Sequence, residues 1–77
     1  MKLKYDRRAD AIYIKLSNTP YAYGKDLDDC RRIDYDTNDN PRGIELLSVS
    51  EGVITNDLPS RNEVERLLEK YRIKLPA

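Results

Sequence analysis

The residues with chemistry to offer are carboxylates, one thiol and several guanidinium groups; histidine does not occur. Its absence removes the commonest general base and the commonest transition-metal ligand, and no Ser-His-Asp or Cys-His arrangement can be built within one chain. Four carboxylates draw attention by position: Asp6, Asp10, Asp34 and Glu45. A paired-carboxylate hydrolase would need two of them about 5–10 Å apart in a cleft. Asp10 with Glu45 is the pair that a metal- or carboxylate-dependent enzyme would use. Against this, aspartate habitually bonds nearby backbone amides, which makes Asp6 and Asp10 caps of a turn. Asp34 and Glu45 are expected on an exposed sheet face.

Other candidates fail on their own terms. Cys30 precedes Arg31 and Arg32, whose charge would favour a thiolate, but no base accompanies it. Asp36-x-Asn38-x-Asn40 imitates the start of a calcium-binding loop, yet Pro41 stands at the required glycine and Leu47 at the required glutamate. It reads as a hairpin loop. Asp26, Asp28 and Asp29 read as solvated turn residues rather than cation ligands. No catalytic residue, metal ligand or cofactor is expected.

Fourteen basic and fourteen acidic residues cancel, so no global field draws nucleic acid or anionic lipid. Lys2, Lys4, Arg7, Arg8, Arg31, Arg32 and Arg42 with Tyr13 would be the platform for a nucleic acid, but acidic residues interleave with them. A single cysteine fits a reducing compartment, no apolar leader opens the chain, and no segment is long enough to span a bilayer. The expected location is cytoplasmic.

The elements that would position these groups follow from periodicity. Leu3 and Tyr5 alternate with Lys2 and Lys4; after a polar turn, Ile12, Ile14 and Leu16 alternate with Tyr13 and Lys15. Tyr21 to Leu27 reads as a third strand that Gly24 weakens or bulges. Cys30 to Tyr35 and Gly43 to Leu47 alternate again, which sets Leu3, Tyr5, Ile12, Ile14, Leu16, Ile33, Tyr35, Ile44 and Leu46 on one apolar face. Short loops imply an antiparallel meander of four to five strands. Then the period changes. Ser60 and Glu63 form a capping box, and Val64, Leu67, Leu68 and Tyr71 make a helical stripe, with Ile73 and Leu75 folding back. The expectation is one α+β domain over 1–77, with the sheet over about 2–55 and an amphipathic helix over about 60–72 packed on one face.

The run Tyr5-Asp6-x-x-Ala9-Asp10-Ala11-Ile12-Tyr13-Ile14-x-Leu16 resembles the opening signature of a bacterial family, domain of unknown function 2283. Ile33-Asp34-Tyr35-Asp36 and Gly43-Ile44-Glu45-Leu46-Leu47-x-Val49-Ser50 are similar to its second signature, with the same spacing from Asp36 to Gly43. Asp39 stands where the family often has glycine, a position that aspartate tolerates; Tyr21 to Cys30 also departs from the pattern. The resemblance implies a small α+β fold and no assigned activity. Family members beside small toxin-like genes imply a toxin–antitoxin role.

A chain this short buries only about 60% of its unfolded surface. Tyr13 and Leu47 on an otherwise polar sheet face suit an interface. The function expected is therefore a non-enzymatic protein-interaction module that self-associates as a dimer, with Tyr13, Asp10, Asp34, Glu45 and Leu47 as its functional surface. The alternatives are an antitoxin-like protein that neutralises a small toxin partner, and the carboxylate enzyme.

Overall fold

Alternating side chains from Lys2 to Leu46 become one five-stranded antiparallel sheet: β1 (Lys2–Asp6), β2 (Ala11–Lys15), β3 (Tyr21–Asp26), β4 (Arg31–Asp36) and β5 (Pro41–Leu46). A short 3-10 turn, Val49–Glu51, leads towards a single helix, α1 (Arg61–Lys70). The structure is a computed structural model, and it describes residues 1–76. The α+β class and the single C-terminal helix are those expected from the periodicity.

The strand order is β1-β2-β5-β4-β3, so one connection departs from a sequential meander. β5 inserts between β2 and β4, and the β2–β3 link carries the chain to the far edge. Burial explains the choice. Gly43, Ile44 and Leu46 of β5 are buried, as suits a strand with neighbours on both sides, whereas β3 is exposed at every position but Gly24. The bulge in β3 falls between Tyr21 and Tyr23, not at Gly24, and leaves Ala22 without a partner on β4.

Register builds the core directly. Leu3 lies opposite Ile14, which lies opposite Ile44; Tyr5 lies opposite Ile12, which lies opposite Leu46. Onto this face α1 sets Val64 and Leu68, both fully buried, together with Val49, Val53, Leu58 and Ile73. Each such side chain contributes about 1.5–3 kcal/mol by leaving water. The stripe is narrower than its period implies: Leu67 is only partly buried, and Tyr71, at the C-cap, is exposed. Ile73 does fold back, its amide donating to the Leu68 carbonyl, and Val53 donates to Lys74. Val53 to Thr55 forms no strand.

The capping box does not form. Ser60 has φ 52° and makes no side-chain cap bond; its backbone is left-handed, whereas a capping serine needs the extended region. A different anchor takes its place. The buried Thr55 hydroxyl donates to Glu65, and Arg61 Nε donates to Thr55 Oγ1. Among the described residues no helix is long and apolar enough to cross a membrane.

Candidate functional site

The sheet face opposite α1 carries the polar members of the alternating pattern, with Tyr13 at its centre. Tyr13 lies opposite Glu45, and its hydroxyl reaches past β5 to donate to Asp34 Oδ2 at 2.9 Å on β4. The path is open because Gly43, opposite Asp34, has no side chain: a Cβ there would stand inside the phenol. Arg42 is the extra residue where the β4–β5 register shifts between Asp34 and Tyr35. Its guanidinium donates to the Tyr13 hydroxyl at 3.2 Å and to the Thr19 carbonyl at 2.7 Å, which fastens the β2–β3 link. Arg32 repeats the device one strand further out. It lies across Gly24 and pairs with Asp26 and Asp34.

The electrostatics make Tyr13 a donor rather than a nucleophile. Burial, and next the hydrogen bond to the Asp34 carboxylate, push its pKa up to about 12, with Arg42 opposing. Glu45 beside it makes no hydrogen bond or ion pair among the described residues.

The structure thus brings Tyr13, Asp34 and Glu45 onto one face, with Leu47 beside Glu45 in a hollow at the end of that face, and places Asp10 elsewhere. Asp10, with φ 53°, turns from its hairpin to accept from the Ser50 amide at 2.9 Å and the Ser50 hydroxyl at 2.7 Å, while its carbonyl accepts from Val49. It clamps the hairpin to the 3-10 turn instead of capping its own turn. Asp6 does cap that turn, accepting from the Arg8 and Ala9 amides. Asp36, buried, accepts from the amides of Asn38 and Asn40, as a hairpin loop requires. Leu47 is exposed beside Cys30, whose carbonyl accepts from the Leu47 amide.

Cys30 is exposed, and the two arginines after it are committed elsewhere. Arg31 pairs with Asp28 and donates to the Ile54 and Asn56 carbonyls, tying the β3–β4 hairpin to the segment before α1. The amide of Cys30 and the Arg31 side chain hold the Asp28 carboxyl below its ordinary range. Among the described residues, no three of the cysteine and carboxylates converge on a point that would hold a metal ion. Periodicity alone did not single out Gly43 and Arg42. A glycine inside an otherwise strong strand was the available signal, since it marks close approach by another group.

The family model described as a protein of unknown function (DUF2283) matches residues 2–50. The chain belongs to the DUF2283 family. No curated protein and no solved structure matches it. In this DUF2283 protein the matched stretch contains all five strands, the Tyr13–Asp34 bond over Gly43, and the Asp10–Ser50 clamp. Both contacts join the first of the two signature runs to the second, one across the polar face and one at the end of the sheet. α1 lies beyond the match.

Proposed function

We propose that this DUF2283 protein is a non-enzymatic protein-interaction module that works as a homodimer joined along β3. The carrying observation is the difference between the two sheet edges. β1 is guarded by Lys2 and Lys4, whereas the Tyr21–Tyr23 half of β3 presents an open edge without charge, its tyrosines 51% and 37% exposed, with Lys25 and Asp26 confined to the strand's other end. Charged edge residues discourage strand pairing; tyrosines in their place favour it. Tyr23 stacks on Tyr35 at 5.1 Å, which holds its ring ready at the edge. Tyr13 is half-buried across Gly43, whereas Tyr21 and Tyr23 are exposed at the edge even though the Tyr23 hydroxyl donates to Asp39, which favours β3 over the polar face as the interface. The enzyme reading loses support because Asp10 is bonded to Ser50 while Glu45 lies beside Tyr13. An exposed thiol suits a reducing, cytoplasmic setting.

Light scattering at micromolar concentration tests the dimer: the expected mass is twice the 9.0 kDa of the chain. Ala22→Lys, at the bulge residue with no β4 partner, should return it to a monomer with an unchanged circular-dichroism spectrum. A monomeric mass for the unaltered chain overturns the reading. The second reading, an antitoxin-like protein that neutralises a small toxin, is favoured by an acid-rimmed apolar depression near Leu47. Co-expression with the product of an adjacent gene tests it through rescue of growth.

A further inference from the structure

We propose that the depression between Leu47 and Ile54 receives a basic segment of a partner protein, with an apolar side chain of that segment as its anchor. The inference rests on the interaction-module reading but uses a different surface from β3. Leu46 and Val53, both buried, belong to its lining, and Leu47 and Ile54, 40% and 51% exposed, stand at its sides. The space is about 260 Å³ and open to solvent. That lies at or below the range of about 300–1,000 Å³ usual for small-molecule sites, and suits an inserted side chain better than a cofactor.

Its walls are held in place without a ligand. Arg31 donates to the Ile54 carbonyl at 2.9 Å and to Asp28 at 2.8 Å, while the Leu47 amide donates to the Cys30 carbonyl at 2.8 Å. A preformed depression spares a binding partner the ordering cost of building one.

Charge selects the occupant. Three carboxylates, Asp28, Asp29 and Glu51, line the depression against one guanidinium, Arg31, which is already spent on Asp28 and two carbonyls. Asp29 and Glu51 make no ion pair among the described residues, and neither does Glu45 in the adjoining hollow beside Leu47. An apolar floor with an unpaired acidic rim complements arginine or lysine flanking leucine-like anchors. It repels an acidic segment.

The probes are three short synthetic peptides: one alternating arginine and leucine, one with glutamate in place of arginine, and one with serine in place of leucine. Amide shifts of the full-length chain map binding. The arginine–leucine peptide should shift the amides of Cys30, Leu47, Val53 and Ile54, and the other two should leave them in place. Leu47→Ser with Ile54→Ser should weaken binding by about tenfold or more, the effect of losing a central anchor. Asp29→Asn with Glu51→Gln should reduce both affinity and its dependence on salt. Since all four positions lie off β3, the dimer mass should persist in these variants, so loss of the dimer and loss of peptide binding report on separate surfaces. Binding that maps elsewhere, equal binding of the acidic peptide, or concentration-dependent shifts of these same amides in the chain alone, which would mark a second copy as the occupant, each overturn the proposal.

Discussion

The phenol of Tyr13 occupies the space in which a side chain at Gly43 would stand. Residue 43 is therefore selected by a residue two registers away on the neighbouring strand, and Gly43→Ala must displace the ring and break its bond to Asp34. Such overpacking costs about 1–3 kcal/mol. In a Tyr13→Ala background the same change should be close to neutral, because the space is vacated. Urea denaturation of the two single variants and the double variant measures the coupling, expected at about 1 kcal/mol or more.

The same phenol predicts the alkaline limit. Its folded pKa is raised from 10.0 to about 12, so the folded state holds a proton that the unfolded chain releases. The stabilisation is complete below pH 10 and is lost as pH rises from about 10 to 12. Tyr13→Phe should flatten that part of the stability–pH curve. At neutral pH it should cost about 0.5–1.5 kcal/mol, towards the low end because the hydroxyl is only partly shielded from water. Thermal melts from pH 8 upwards check both.

Period-two alternation made the inner face legible residue by residue, because Ile12, Ile14, Ile44 and Leu46 each face the core whatever the strand order. Strand order was not legible. Short loops favour neighbours, and only the burial of Gly43 and Ile44 shows that β5 lies in the middle. At the helix start, Ser60 and Glu63 matched a sequence pattern that also requires the right backbone, and φ 52° at Ser60 denies it. The polar face was foreseen as a set of residues but not as a network. Tyr13 to Asp34 is a contact between strands that are not adjacent, and it depends on what Gly43 lacks. Asp10 to Ser50 spans 40 positions, a separation at which local bonding habits say nothing.

Acid should unfold the protein through three carboxyls held below their ordinary pKa. Asp36 is lowered chiefly by the Asn40 amide, Asp28 by the Cys30 amide and Glu65 by the Thr55 hydroxyl. Each favours the folded state above its unfolded value, 3.8 for the aspartates and 4.5 for the glutamate. Stability should therefore be flat down to about pH 5, then fall as the unfolded chain takes up protons first. Asp36→Asn should make that fall shallower without moving its onset, because Glu65 and Asp28 still titrate in the unfolded chain first, as read by urea denaturation at a series of pH values from 7 downwards.

The Asp10–Ser50 clamp joins the β1–β2 hairpin to the 3-10 turn, so its loss should loosen both together. Asp10→Ala removes the acceptor of two hydrogen bonds and places alanine at φ 53°, where aspartate is better tolerated. The expected cost is about 1–3 kcal/mol. Asp10→Asn keeps one acceptor oxygen and the backbone preference, and should cost less. Amide exchange at Val49 and Ser50 should accelerate in the alanine variant before exchange at Ile44 does.

The lid is where the fold has least to spare. Leu68 has no exposed surface and meets the sheet core, whereas Tyr71, one turn on and part of the same apolar period, is 47% exposed. Leu68→Ala leaves a cavity under α1 and should cost about 2–5 kcal/mol. A domain of this length has about 4–12 kcal/mol in total, so that variant should melt far lower or fail to fold. Tyr71→Ala should cost far less, about 0.5 kcal/mol, because about half of its surface is already in water and it is no part of the buried core. Paired thermal melts of the two variants separate burial from periodicity. Equal losses would mean that Tyr71 packs in solution as its period implies, and that α1 extends its seal by another turn.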